Sequence, residues 1–399
     1  MLTKPFKEAI PIIETIEKQN HQAYFVGGCV RDLLLQRPLG DIDIATSAVP
    51  NEVMQMFDKV IPVGLEHGTV IVRHAHHSYE VTTFRIDGEY TDKRHPDAVT
   101  FINQINKDLE RRDFTINALA MNKDGEILDL FGGKEDINNR LIRTVGNGYD
   151  RFLEDPLRIL RALRFSSQLG FHIHPETLKD MKRLKAEIKT VAVERITNEF
   201  EKFFAGDFIC NGLFYFKESG IDEYLPIISK EEKLIDRIPD SIVPLKSFGE
   251  VISLFHILQP EIGIKEWTRA WKCSKQTENE ATELVWAYNY YRNNGVDNWL
   301  LYRLNSLFFK GFERLCVTFQ ISDFSHGQML EKKNSLAIMS KRDLSINGND
   351  LMQLFPHKER GRWIAELLNE VEKQVVFGKL NNNNKEIKEW IEWNPPETN

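Results

Sequence analysis

Tyr24-Phe25-Val26-Gly27-Gly28-Cys29-Val30-Arg31-Asp32-Leu33-Leu34-Leu35, continuing through Gly40 to Asp41-Ile42-Asp43-Ile44, is the stretch from which the fold of this chain follows. Tyr24 to Val26 is a short apolar run stopped by two glycines, and Val30 to Leu35 carries a helical pattern. The stretch reads as strand, Gly-Gly turn, short helix and second strand. A glycine pair lets the backbone turn sharply and approach a ligand with no Cβ in the way. The N–H groups that enter the next helix then face phosphate oxygens, and Arg31 adds a fixed positive charge. On the following strand Asp41 and Asp43 are two residues apart, so both point to one face while Ile42 and Ile44 point to the core. Two such carboxylates repel unless a cation lies between them, and hard oxygen ligands suit Mg²⁺ shared with substrate phosphates.

These residues resemble the opening of the tRNA nucleotidyltransferase (CCA-adding enzyme) family, in the eubacterial class that shares its head with bacterial poly(A) polymerases. The wider group is the DNA polymerase β-like superfamily. Cys29 stands where the family more usually has a small residue such as alanine. The resemblance implies that Asp41 and Asp43 bind Mg²⁺ and catalyse transfer, and that Gly27, Gly28 and Arg31 bind nucleotide.

Bulk properties set the frame. At 399 residues the chain is long enough for more than one domain. Its net charge of −7 weighs mildly against a nucleic-acid binder, although only a local basic surface has to meet phosphates. Residues 140–202 hold thirteen Lys/Arg against nine Asp/Glu, a local basic excess. The four cysteines are scattered singly, which fits reduced thiols rather than disulfides or a zinc site. No apolar run is long enough to span a bilayer and the first residues show no signal-peptide pattern, so a cytoplasmic protein is expected.

Along the chain, Pro5 to Lys18 shows helical periodicity, Pro50 to Phe57 a short helix, and Val60–Val63, Thr69–Arg73 and Tyr79–Phe84 read as strands. Glu80, in the last of these, reads equally as a third acid assisting the metal pair or as an outward-facing strand carboxylate. Asp87 to Pro96 is a polar loop by composition; family members carry a charged loop here that is linked to the switch from C to A. Leu109 to Ala118 matches the family's RRDFTxNA block, with Thr115 to Met121 expected to be helical. An arginine pair suits triphosphate oxygens, and Asp113 either accepts from a ribose hydroxyl or caps the next helix. Asp129 to Gly133 resembles the family's hinge, and an ordinary turn explains it as well.

Glu154-Asp155-Pro156-Leu157-Arg158-Ile159-Leu160-Arg161-Ala162-Leu163-Arg164-Phe165 is the second informative stretch. Pro156 suits the first helical position and makes Asp155 a natural N-cap. Arg158, Arg161 and Arg164 form one drifting stripe. Cytosine and adenine each present an amine donor beside a ring-nitrogen acceptor, whereas uracil and guanine reverse that order. One carboxylate acceptor and one guanidinium donor therefore fit C and A and mispair with U and G. By resemblance to the family's EDxxR motif, Asp155 and Arg158 read the base, while Arg161 and Arg164 contact nucleotide or phosphate. Val193 to Phe200 matches a bracing helix of the family. Lys179, Lys182, Arg183, Lys185 and Lys189 face tRNA backbone or solvent with equal claim. Trp363, Trp390 and Trp393 read as core or docking residues.

The expected fold is an α+β nucleotidyltransferase head, a mixed sheet with flanking helices, followed by an elongated all-α neck, body and tail. The divisions are 1–137, 138–205, 206–312 and 313–399, with tRNA contact in the tail. The expected activity is template-independent addition of CCA to tRNA lacking a complete 3′ CCA, from CTP and ATP. Alternatives are a poly(A) polymerase or a CC-only or A-only enzyme. A homodimer is an option the sequence leaves open.

Overall fold

The computed structural model describes residues 2–88, 99–231 and 233–395. The chain divides into two compact units, Met1–Asp236 and Arg237–Asn399. The first carries strands β1 (Ala23–Val26), β2 (Asp43–Thr46), β3 (Val60–Pro62), β4 (Thr69–His74), β5 (His77–Thr83), β6 (Arg85–Asp87), β7 (Val99–Phe101), β8 (Leu119–Met121) and β9 (Ile127–Asp129). Its helices α1 (Lys4–Lys18), α2 (Gly28–Leu34), α3 (Pro50–Met56), α4 (Ile105–Glu110) and α5 (Gly133–Asn138) flank them. A helical run follows, α6 (Gly148–Glu154), α7 (Leu157–Leu169), α8 (Pro175–Leu184), α9 (Val193–Phe204) and α10 (Ile209–Ser219), but it is not all-α as expected: Leu141–Ile142 pairs in parallel with His172–Ile173.

Seven strands form one sheet in the order β3-β4-β5-β2-β1-β8-β9. Neighbours are antiparallel except β2 and β5, which run parallel with Asp43 opposite Glu80. β6 and β7 make a separate hairpin; residues 89–98, which hold most of the expected polar loop, lie outside the described residues. Under the sheet, Val26, Ala45, Phe84, Ile105, Leu109 and Ala120 form one buried cluster.

Two further expectations are corrected. Thr115 to Met121 is not helical: a single 3₁₀ turn at Thr115–Asn117 leads into β8, which pairs with β1 on one side and β9 on the other. Sheet pairing on both edges and complete burial of Leu119, Ala120 and Met121 outweigh the helix propensity of these residues. Only Asp43, not Asp41, belongs to β2. The ladder with β1 runs from Ala23↔Thr46 to Phe25↔Ile44 and that with β5 begins at Asp43↔Glu80, so residue 41 lies outside both. Gly133 is packed hard rather than loose, since a Cβ there would sit 2.3 Å from the Thr115 carbonyl oxygen.

The second unit, among the described residues, is built of helices only: α11 (Phe248–Leu258), α12 (Ile264–Ala270), α13 (Lys275–Asn294), α14 (Asn298–Arg303), α15 (Phe309–Thr318), α16 (His326–Asn334), α17 (Gly348–Leu354), α18 (Arg362–Val376) and α19 (Asn384–Trp393), with short 3₁₀ turns. Leu351, Val371, Val375, Ile387 and Ile391 centre a buried cluster against which Trp363 and Trp390 pack. Trp393 is 86% exposed and takes no part in it. Among the described residues no helix is long and apolar enough to cross a membrane.

Candidate active site

The strand, turn and helix order of residues 23–34 opens a cleft of about 620 Å³ in the first unit. At its head, Gly27 adopts φ 73° and ψ −130°, a conformation that suits only glycine. Arg31, nearly buried, is fixed in place: Nη1 donates to Asn117 Oδ1 at 2.7 Å, and Nε and Nη2 donate to the Asp32 carboxylate at 2.9 and 3.1 Å.

Asp43 opens β2 and lies in register beside Glu80 of β5, and both carboxylates line the cleft. Burial, then Glu80, and more weakly Asp41, push the Asp43 carboxyl up to about 6, while Arg112 pulls the other way. Asp41 is exposed just before the strand and is not part of the cleft wall. Among the described residues no three His, Cys, Asp or Glu gather into a complete metal cage. Mutually repelling carboxylates that supply only oxygen donors fit a hard divalent ion whose remaining ligands come from phosphate or water.

The Arg111-Arg112-Asp113 segment is anchored by Asp108, 1% exposed. Asp108 accepts from Arg111 Nε and Nη2 at 3.0 and 2.8 Å and from Arg112 Nη2 at 3.1 Å. Burial alone would raise the Asp108 carboxyl; the two guanidiniums outweigh it and hold it below its usual range. Asp113 is saturated: Oδ1 accepts from the Phe114 amide and Asn117 Nδ2, while Oδ2 faces Arg161 Nε at 2.8 Å and Nη2 at 2.6 Å. Although burial opposes it, Arg161 with Asn117 holds this carboxyl far below the ordinary carboxylate range. A ribose hydroxyl would have to displace one of these donors.

Helix α7 forms the opposite wall. Asp155 caps it by accepting from the Leu157 amide at 3.2 Å, and its carboxylate is gripped by Arg195 of α9 at 2.8 and 3.4 Å. Arg158 donates to Glu154 at 2.6 Å and to the carbonyls of Arg151 and Arg111 at 3.0 and 3.1 Å. Arg164 Nε stands 2.7 Å from Glu199 Oε2. That pair is misaligned for a hydrogen bond, so both atoms, like Arg112 Nε, are buried with no hydrogen-bond partner in the protein. Buried polar atoms without partners concentrate where a ligand completes them.

Of the residues anticipated from sequence, Gly27, Gly28, Arg31, Asp43, Glu80, Arg112, Asp113, Asp155, Arg158, Arg161 and Arg164 all line this one cleft. Asp41 is the exception. Asp108, Asn117, Phe165, Arg195 and Glu199 escaped notice as members of the site. For Asp108 a signal existed, because it stands three and four residues before two arginines, the spacing of helical ion pairs. Thr69, Thr82 and Arg85, which also line the cleft, carry no local signal. The basic residues of α8 and the turn after it are largely engaged: Lys179 with Glu176, Lys182 with Glu218, Lys185 with Glu223, Arg183 over the Tyr149 ring and Lys189 over that of Tyr224.

Comparison with known proteins matches this architecture. A family model described as the poly A polymerase head domain covers residues 23–143, and one for tRNA nucleotidyltransferase domain 2 covers 250–391. Curated CCA-adding enzymes of Oceanobacillus iheyensis and Bacillus cytotoxicus are 50% and 41% identical, covering 100% and 98% of each chain. The crystal structure of Bacillus stearothermophilus CCA-adding enzyme in complex with CTP superposes with a TM-score of 0.88 at 37% identity, over 98% of both chains. With identity of this order running through the whole length, the chain belongs to the CCA-adding enzymes, tRNA nucleotidyltransferases with a poly(A)-polymerase-type head.

Proposed function

We propose that this protein adds CCA to the 3′ end of tRNA from CTP and ATP, releasing pyrophosphate, without a nucleic-acid template. The observation that supports it most is that an acid pair on adjacent parallel strands, Asp43 with Glu80, and an acid–arginine edge, Asp155 with Arg158, face one cleft. We assign the residues as follows. Arg112 and Arg31, with the Gly27-Gly28 turn, seat the triphosphate. Arg161 and Arg164 add positive charge along it, each held by a carboxylate. Asp155 accepts from the exocyclic amine of cytosine or adenine at Oδ2, which takes one bond from Arg195 and keeps a lone pair. Arg158 spends three of its five N–H donors on the protein and offers another to the ring nitrogen. We assign Asp113 to orienting Arg161 rather than to binding ribose.

Mg²⁺ is the divalent ion we assign to Asp41 and Asp43, with Glu80 assisting. With two such ions bound, one would activate the attacking 3′-hydroxyl and the other would offset charge on the leaving pyrophosphate. The chain's own residues supply positioning and a fixed electrostatic frame. We keep the finer division into head, neck, body and tail at residues 137, 205 and 312 and place the protein in the cytoplasm, where its four free thiols stay reduced.

The test is primer extension on tRNA ending at its discriminator base, with each nucleotide alone and all together. CTP alone should add two C residues, and ATP should complete the end only after them. Addition of A residues alone would point instead to poly(A) synthesis, whose enzymes share this head.

A further inference from the structure

Phe165 stands near the end of α7 with three guanidinium groups around its ring. The central carbon of Arg164 is 4.2 Å from the ring centroid, that of Arg31 is 5.1 Å away and that of Arg161 is 5.6 Å away. The ring is 5% exposed, lines the cleft and meets Phe114 edge-on at 5.8 Å. Arg31 comes from the helix after the Gly-Gly turn, whereas Arg161 and Arg164 belong to α7, so the ring is where charges from two walls of the cleft meet.

Like charges held this close repel. Burial, with the charges of Arg161 and Arg31, brings Arg164 down to about 10, against the pull of Glu199. An aromatic face carries negative quadrupole density and attracts cations most strongly where water is excluded. The other partners of these guanidiniums are polar: Asp32 and Asn117 hydrogen-bond Arg31, Asp113 hydrogen-bonds Arg161, and Glu199 forms an ion pair with Arg164. A ring packed against three guanidiniums restricts how each can swing, in addition to what their polar partners fix.

We propose that Phe165 is a positioning residue for nucleotidyl transfer: its ring gathers Arg31, Arg161 and Arg164 and aims their N–H groups at the phosphates of the incoming nucleotide. This rests on the cleft being the nucleotide site. Because phosphates are common to CTP and ATP, Phe165 acts on both alike and leaves base choice untouched.

The experiment compares Phe165→Leu and Phe165→Met, which keep apolar volume and lose the π face, with Phe165→Tyr and Phe165→Trp, which keep it. KM and kcat are measured for CTP on tRNA lacking CCA and for ATP on tRNA ending in CC, together with inhibition by inorganic tripolyphosphate. Loss of the ring should raise both KM values about tenfold by a common factor, weaken tripolyphosphate similarly, leave kcat within about twofold and keep UTP and GTP excluded. Phe165→Tyr should restore wild-type values. The inference falls if Leu or Met behaves as wild type, if Tyr is as impaired as Leu, or if CTP and ATP shift by different factors. Should Leu unfold the protein, the Tyr against Met comparison decides. A wild-type chain that transfers no CMP at all would overturn the nucleotide-site reading itself, a result distinct from wild-type transfer indifferent to residue 165.

Discussion

The guanidinium of Arg112 occupies the space that a side chain on Gly27 would need: a Cβ at residue 27 would stand 2.9 Å from Arg112 Nη1. At Gly28 the nearest atom, Arg31 Nη2, is 3.7 Å away, an ordinary contact, and φ is not positive. The two glycines of the turn therefore do different work.

Gly27→Ala should strain the backbone by about 1–3 kcal/mol and displace Arg112. We expect a melting temperature lower by several degrees and kcat/KM for both nucleotides down by about 100-fold. Gly28→Ala should stay within about threefold of wild type. Steady-state kinetics with calorimetry on the pair checks this, and equal behaviour of the two variants would refute it.

Arg158 is held by Glu154 and by two backbone carbonyls, so its remaining donors point in a fixed direction. Arg158→Ala should relax exclusion of UTP and GTP by about 10²-fold or more. Misincorporation read by sequencing of extended tRNA tests it; unchanged selectivity would remove Arg158 from base reading.

Asp43 binds its proton more tightly in the folded chain, at about 6 against an ordinary 3.8. The sign follows directly. Between those values the folded state holds a proton that the unfolded state has lost, so stability of the metal-free protein falls as pH rises from about 4 to about 6. The drop is of the order of 3 kcal/mol and stays in force above pH 6. Asp43→Asn should flatten that slope. Adding Mg²⁺ should raise the melting temperature at pH 7 and barely move it at pH 4.5. Thermal scans across pH, with and without the ion, would contradict the assignment if the ion stabilised equally at both.

Asp113 behaves in the opposite sense. Its carboxyl ionises well below the ordinary range because Arg161 and Asn117 favour the charged form. That stability is present above about pH 4 and is lost as pH falls further. Asp113→Asn should cost about 2–4 kcal/mol at pH 7, since it leaves Arg161 partly uncompensated, and should shrink the difference from wild type as the medium is acidified. Chemical denaturation at pH 7 and pH 3 measures both.

How legible the site was depended on how local its chemistry is. The Gly-Gly turn, the acid of β2 and the arginine stripe of α7 announce themselves within a dozen residues, and the cleft contains them. Glu80 was undecidable from sequence because its role depends on a parallel partner distant in the chain. Asp41 was placed on the strand because nothing local marks where pairing with β1 and β5 begins. Leu119 to Met121 looked helical because a fully buried central strand shows no alternation. Asp108 is marked by its spacing to Arg111 and Arg112, whereas Glu199 looks like an ordinary helix-surface residue until the arginines of α7 that it meets are seen.

The parallel pairing of β2 with β5 has a last implication for how the enzyme matures. Residues 43 and 80 come together only after the intervening meander has folded back on itself, a long-range closure that local helix formation cannot anticipate. During refolding, the circular dichroism of the helices should therefore recover ahead of ion affinity. A chain caught midway would be well ordered by that measure and still chemically inert.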